Sequence, residues 1–484
     1  MSFARLYTAA LCGPQITEIR IEVDIQPGLP MFQIIGLPDK QIDEARERVR
    51  MAIKNSGFQF PLGKITVNLA PSHLPKQGTG FDLGIALGIL QAAGKLPSLS
   101  RRIWIIGELS LDGYALAGTL LPAILIEAVK QKIGGCIISS SAGTALPCPL
   151  LPVATLREAA ARIETGPLRF SVPVQEKKKA EPRTEYLLDH VIGQEGAKRV
   201  LEIALTGHHH LFLSGPPGTG KTMLARAAGQ LLPPLTPAEA MEVAQVHYIR
   251  GQIYDMHRAE PPYRSPHHSI SPSNFYGNAR TGKMGEIGLA HRGVLFLDEF
   301  PEFKREVRDL LRQPMQDRVV TLTSQFGQYA YPADCLVIAA QNNCPCGMSG
   351  VEGEECRCSI ADLQRYQRAL SQPILDRFDL FFYLPKTNLD QWSAQPAGEK
   401  EQTTHLISRI HEGRLLLAQA KEKKVKSDVY DYLIRAVEKF YISGRGIEKI
   451  LSVARTIAAL EGTDEIGKQY IQEALQYRYR LLGG

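Results

Sequence analysis

A glycine-rich turn that ends in Lys-Thr can cradle a polyphosphate. The stretch Gly215-Pro216-Pro217-Gly218-Thr219-Gly220-Lys221-Thr222 meets every fixed position of the G-x-x-x-x-G-K-[ST] phosphate-binding loop. Its glycines let backbone N–H groups curl around phosphate oxygens without Cβ clashes, Lys221 brings a point charge to them, and the Thr222 hydroxyl can ligate Mg²⁺. A second, carboxylate-bearing segment completes such a site: Gly293-Val-Leu-Phe-Leu-Asp298-Glu299 reads as four apolar residues followed by two acids. Asp298 is the expected Mg²⁺ ligand and Glu299 the expected base that orients and deprotonates an attacking water. Two carboxylates in those roles imply hydrolysis of ATP rather than binding alone. A third apolar run, Leu336 to Ala340, ends in Gln341-Asn342-Asn343 and puts the neutral amide of Asn342 where it can sense a γ-phosphate or the lytic water.

These residues need elements behind them. Leu211-Phe-Leu213 reads as a buried strand and Met223 to Ala228 as the start of a helix, so the loop is expected where a strand feeds a helix N-terminus. Ala197 to Leu205 predicts a preceding helix, and Leu380-Phe-Phe-Tyr-Leu384 a later strand. Arg318 to Thr323 and Ala330 to Pro332 predict a hairpin. Beyond Lys386 the pattern is helical, with a charged break at Lys421 to Lys426. Ser443-Gly-Arg445 opens a helical run in which Ile447, Ile450, Leu451, Ala454, Ile457 and Ala458 recur at i, i+3, i+4. Upstream, Val172 to Thr184 exchanges apolar periodicity for proline and charge, including Lys177 to Lys179, as a solvated tether does. The first 170 or so residues alternate short strands with helices such as Ile42 to Lys54, where Ile42, Ala45, Val49 and Ile53 form one face.

With Pro373-Ile-Leu-Asp-Arg377-Phe-Asp379 following the strand that carries Asn342, the order of motifs resembles the AAA+ superfamily. Within it the chain is similar to the ComM/YifB family of magnesium-chelatase-like ATPases. The segments that carry the resemblance are Ile35 to Asp39, Glu47 to Arg50, Ala52 to Gly57, Phe81 to Leu90, Arg264 to His268, Gly285 to His291 and Val453 to Ala458. The resemblance implies an α/β chain in three parts. Residues 1–171 would form a ribosomal-S5-like, Lon-like α+β domain and 172–188 a linker. Residues 189–386 would form the AAA+ P-loop domain, and 387–484 a C-terminal α-helical lid. It implies that Arg377 is an arginine finger reaching a neighbouring subunit's nucleotide and Arg445 the sensor 2 arginine, in a ring that is expected to be hexameric. Asp189 to Gln194 resembles the segment that meets the adenine end. Lys449 and Ser452 stand where this family commonly has arginine, which leaves the role of that face open. The Lon-like resemblance fails at its catalytic positions: Gly80 stands for the serine, with Thr79 beside it, and Pro122 for the lysine, so no peptidase activity is expected.

Composition sets the outer bounds. With 44% hydrophobic and 22% charged residues the chain is globular, and 484 residues exceed one core. No apolar run of about 18 residues occurs and the first residues lack a signal-peptide core, so a cytoplasmic protein without a membrane partner is expected. The net charge of +6 is too small for diffuse nucleic-acid binding, so DNA contacts are expected in local patches: Arg264, His267 and His268, the hairpin near Arg318, and Lys421 to Lys426. Arg264 to His268 fits a substrate contact or a subunit interface equally well. Among eight cysteines, Cys344, Cys346, Cys356 and Cys358 crowd one segment, where two thiolate pairs could close a structural Zn²⁺ site or form a metal-free loop. Cys12, Cys136, Cys148 and Cys335 are expected to be buried apolar residues, and His208 to His210 a turn rather than a metal site. The expected function is a ring ATPase that moves on DNA, a helicase promoting branch migration of recombination intermediates in natural transformation. The competing readings are a chelatase-type motor that remodels a protein partner and a nucleotide-switched scaffold.

Overall fold

The computed structural model describes residues 2–13, 15–36, 40–76, 80–99, 102–142, 146–173, 186–191, 193–278, 283–324, 327–349, 353–386, 399–419, 427–440 and 442–478. Thr79, Lys177 to Lys179 and Lys421 to Lys426 lie outside the described residues.

The N-terminal part is a seven-stranded mixed sheet. Its strands are β1 (Phe3–Cys12), β2 (Gln15–Gln26), β3 (Met31–Ile35), β4 (Lys64–Ala70), β5 (Trp104–Ile106), β6 (Cys136–Ser139) and β7 (Leu150–Val153), in the order β3-β4-β2-β1-β5-β6-β7. Strands β1 and β2 pair antiparallel about a turn at Gly13, whose φ of +63° suits glycine. Helices α1 (Lys40–Asn55), α2 (Asp82–Ala92) and α4 (Leu156–Thr165) share one apolar core with residues of β1, β2, β4 and β5. The spacing Gly84-x-x-x-Gly88 has a packing reason. A Cβ on Gly84 would lie 2.6 Å from Ile21 Cδ1, and one on Gly88 2.8 Å from Val23 Cγ2, so the glycines let α2 lie close on the sheet.

Helix α3 (Leu121–Lys130) belongs to a different core. It packs with helix α7 (Pro237–Ile249) of the central part, where Lys130 and Glu127 both hydrogen-bond Gln245. Its Ile124 and the apolar residues beneath it, including Trp104 and Cys148, form one continuous cluster with Phe212, Val246 and Phe300. One face of this sheet therefore has its own core, while the other shares a core with the central part.

The central sheet is parallel and five-stranded: β8 (Leu211–Ser214), β9 (Tyr263–Arg264), β10 (Val294–Leu297), β13 (Leu336–Gln341) and β14 (Leu380–Tyr383), in the order β9-β10-β13-β8-β14. Its strands are near-continuous apolar runs because helices cover both faces. Among the covering helices are α5 (Glu195–Gly207) and α6 (Lys221–Leu231). The predicted hairpin is present as β11 (Val319–Ser324) and β12 (Gly327–Pro332). Helix α8 (Ile360–Arg368) precedes β14.

The C-terminal part is helical: α9 (Glu399–Gln419), α10 (Ser427–Phe440), α11 (Gly444–Leu460) and α12 (Lys468–Gln476). A charge network fastens it to α5. Arg199 reaches Glu202, Glu461 and Glu473 at 2.9–3.0 Å, and Arg409 of α9 reaches Glu202 at 3.0 Å. In the expected linker, Leu187–His190 forms a short 3-10 turn whose Leu188 is buried in the ATPase core. Among the described residues no helix is long and apolar enough to cross a membrane.

Candidate nucleotide site

Strand order explains why the site forms where it does. β8 lies centrally between β13 and β14, so the phosphate-binding loop emerges at the carboxyl edge of a parallel sheet with β13's end beside it and β10 one strand further. The loop's glycines are not interchangeable. Gly218 and Gly220 have φ of +77° and +91° with open space where a Cβ would stand, the cradle a polyphosphate needs. Gly215 has φ +154° and leaves only 2.4 Å between a would-be Cβ and the Leu384 carbonyl. Lys221 is buried, and its Nζ donates to the Gly215 and Pro216 carbonyls at 2.7 Å each. Burial lowers its pKa, against the opposing pull of Asp298.

Thr222 Oγ1 donates to Asp298 Oδ2 at 2.8 Å, so the two expected Mg²⁺ ligands converge. The Glu299 backbone N–H donates to Asp298 Oδ1 at 3.0 Å and orients that carboxylate. Glu299 has φ +52°, a strained conformation for a non-glycine residue that turns its side chain out of the strand line. That side chain meets His268, with Nδ1 to Oε2 at 3.2 Å. The open cradle, the amine and the hydroxyl–carboxylate pair fit ATP and Mg²⁺. When bound, the metal would neutralise phosphate charge, with Thr222 and Asp298 as its protein ligands. Asn342 follows β13 directly, and the Tyr366 phenol of α8 lies near its backbone.

Arg377 and Arg445 lie apart from this cradle. They line a common pocket of 370 Å³ with Gln316, Arg318, Asp334 and Lys449, and no residue of the phosphate-binding loop borders it. Arg377 donates to the Pro373 carbonyl at 2.7 Å and to Gln316 at 3.2 Å. The four clustered cysteines meet: their sulfurs all lie within 4.8 Å of one another, with separations of 3.4–3.7 Å for three of the pairs. Backbone N–H groups of Cys346 and Ser349 donate to Cys358 and Cys344 sulfurs at 3.4 and 3.3 Å. Such distances suit the edges of a tetrahedron around a metal with bonds of about 2.3 Å.

The family model described as "Magnesium chelatase, subunit ChlI" matches residues 187–392, that of its C-terminal part matches 410–478, and "Subunit ChlI of Mg-chelatase" matches 21–142. The chain is 37% identical to "Competence protein ComM" of Haemophilus influenzae, over 99% of this chain and 98% of that protein. It is 37% identical to "Uncharacterized protein YifB" of Salmonella typhimurium, over 99% and 97%. A shorter match, 27% identical over 25% of this chain and 29% of the relative, is to the ATP-binding subunit ClpX of the Clp protease in Treponema denticola.

The chain belongs to the ComM/YifB family. It is a magnesium-chelatase-like AAA+ ATPase, and ATP with Mg²⁺ is the cofactor pair of that superfamily.

For this ComM/YifB chain the structure changes the reading of several side chains. Arg264 gives both Nε and Nη2 to Glu286, at 2.6 and 2.8 Å, so its guanidinium is committed within the fold. His268 faces the Glu299 carboxylate, and Arg318 is paired with Asp334 at 3.5 Å in the pocket of Arg377 and Arg445. Arg264, His268 and Arg318, three of the residues expected to touch DNA, thus each meet a carboxylate of the same chain. Lys449, which departs from the family pattern, binds Asp379 at 2.7 Å and the carbonyls of Arg377 and Phe378 at 2.8 and 3.1 Å, pinning the loop that carries Arg377 onto α11. Sequence reasoning missed His268 as the partner of Glu299 and Lys449 as an anchor because both contacts join segments far apart in the chain.

His208 to His210 are structural. His209 bonds Thr456 at 2.8 Å, His210 accepts from the Val337 N–H at 3.1 Å, and His208 meets Asp334 at 3.1 Å. Cys12, Cys136, Cys148 and Cys335 are all buried, and Cys136 and Cys148 lie sulfur to sulfur at 3.7 Å. At the failed Lon-like positions, Gly80 precedes α2 and Pro122 opens α3, while nearby Lys76 is fully buried and donates to the carbonyls of Gly36, Pro71 and Leu74.

Proposed function

We propose that this chain assembles into a ring, a hexamer, that hydrolyses ATP to move on DNA and drives branch migration of recombination intermediates. The observation that supports the reading is that Arg377 and Arg445 line a pocket that no residue of the phosphate-binding loop borders, as expected if Arg377 serves the nucleotide of a neighbouring subunit. A closed ring satisfies every subunit at once. In this arrangement Lys221, Thr222 and Asp298 hold the nucleotide and its metal. Glu299 takes the proton of the attacking water, Asn342 orients that water, Arg377 acts in trans as the arginine finger, and Arg445 is the sensor 2 arginine. The DNA substrate is supported by the full-length likeness to a protein named for competence. The boundaries proposed are those of the sequence reading: residues 1–171, a linker over 172–188, the ATPase domain over 189–386 and the lid over 387–484. We also propose that Cys344, Cys346, Cys356 and Cys358 hold one structural Zn²⁺, and that the protein works in the cytoplasm.

The deciding experiment is branch migration of a synthetic four-way junction with ATP and with a non-hydrolysable analogue. Junction resolution that needs ATP and is lost in Lys221→Ala supports the reading. If no branched or single-stranded DNA binds to assembled rings or stimulates their ATPase while a protein partner does, the chelatase-type remodelling motor replaces it. That second reading is favoured by the family descriptions, one of which matches within residues 21–142, so the N-terminal half does not discriminate between the two motors.

A further inference from the structure

Gly347 stands in the turn between the two cysteine pairs, with φ +81°. A Cβ built on it would lie 2.4 Å from Pro217 Cγ and 2.9 Å from Pro217 Cδ, so the turn rests directly on the phosphate-binding loop. The same knuckle adjoins the sensor. Cys344 follows Asn342 by two positions, the Ser349 N–H donates to Cys344 Sγ, and Asn343 Nδ2 donates to the Ser349 carbonyl at 2.8 Å. On the far side, Ser359 directly after Cys358 caps α8 by accepting from the Asp362 N–H at 3.1 Å. The Tyr366 phenol of α8 lies near the backbone of Asn342. The four sulfurs therefore lie among three elements of the proposed nucleotide site: the loop at Pro217, the strand end at Asn342, and the helix α8 beside it. An open segment from Cys344 to Cys358 would sample many conformations, and a metal closing it removes most of them.

We propose that the four-cysteine knuckle is a positioning element of the nucleotide site, setting the phosphate-binding loop through the Gly347–Pro217 contact and Asn342 through the adjoining backbone, so that metal occupancy governs affinity for ATP. The proposal rests on the zinc reading above. Small displacements of a phosphate cradle are costly because every N–H must point at the same oxygens.

The chain carries its own control. Gly353 lies in the same segment with the same φ of +81°, but nothing stands within 4 Å of a Cβ there. Gly347→Ala and Gly353→Ala pay the same left-handed backbone cost, and only the first strikes Pro217. The readouts are the Kd of full-length protein for a fluorescent ATP analogue, and zinc content by elemental analysis. Gly347→Ala is expected to raise Kd about tenfold at unchanged zinc, with Gly353→Ala within about twofold of the parent. In a double-mutant cycle, Gly347→Ala should cost little once Pro217→Ala has removed the struck atoms. Stripping zinc from the parent protein with a chelator should raise Kd as Gly347→Ala does. Equal Kd for the two alanine variants, or no coupling to Pro217, overturns the contact. Zinc loss without change in Kd overturns metal control. Protein purified without chelator that holds no zinc ends the zinc reading itself, and the alanine comparison still decides the contact.

Discussion

The Glu299 side chain has two roles to test, the base proposed for the attacking water and the observed partner of His268. The first predicts that Glu299→Gln keeps nucleotide binding, because Thr222 and Asp298 are untouched, and loses turnover by roughly 10²-fold or more. Near-normal ATPase in that variant would remove Glu299 from the mechanism. The second predicts the behaviour of His268→Ala. A carboxylate oxygen held 3.2 Å from an imidazole is not free to accept a proton from water, so freeing it should raise the DNA-independent ATPase by about twofold to tenfold. A fall in that basal rate would mean that His268 places the carboxylate correctly instead of holding it aside.

Among the elements, α11 and the turn before β8 carry the burden of holding the arginine-bearing loop. Asp379 accepts from the His210 backbone N–H at 2.8 Å and from Lys449 at 2.7 Å, while Arg478 donates to the Phe378 and Asp379 carbonyls at 3.3 Å. Lys449→Ala leaves Asp379 without its cation and frees the Arg377 carbonyl. It should cost about 2 kcal/mol in a thermal melt and abolish ATPase while sparing nucleotide binding. Wild-type turnover in this variant would show that the anchor does not matter for Arg377. The same region predicts a pH dependence. Burial pushes His209 and His210 down to about 4, so both are neutral in the folded state at pH values where an unfolded chain protonates near 6.5. Lowering pH from 6.5 to 4 therefore favours the unfolded state, by about 3 kcal/mol per histidine at the lower end, with no further loss from these groups below it. The melting temperature should drop across that window, and His209→Asn should flatten the drop. An unchanged slope would mean that His209 titrates alike in both states.

For the whole molecule, the proposed trans role of Arg377 predicts complementation. Arg377→Ala and Lys221→Ala chains should each be inactive. Mixed, they should recover part of the ATPase, since some interfaces then join an intact loop to an intact arginine. Mixtures as inactive as either parent would count against the trans role. The shared core between α3 and α7 adds a second consequence: nucleotide-driven motion of the ATPase part must carry the N-terminal sheet with it or break that packing.

The phosphate-binding loop, the Asp298–Glu299 strand end, Asn342 and four of the five strands behind them were legible in the chain alone; the short edge strand Tyr263–Arg264 was not. Their signals are local: a run of glycines before Lys-Thr, apolar stretches ending in acids or amides, and helical spacing after Ser443. The four-cysteine cluster was legible as spacing, and the folded chain brings all four sulfurs together. What no local pattern contains is pairing across distance. Arg264 with Glu286, His268 with Glu299, Lys449 with Asp379 and Gly347 with Pro217 join segments 22 to 130 positions apart. An isolated cation looks alike in sequence whether it meets DNA, a carboxylate or water. Only the packing of α11 and the carboxyl edge of the sheet decided which of these each one meets, because a charge is settled by its nearest partner in space.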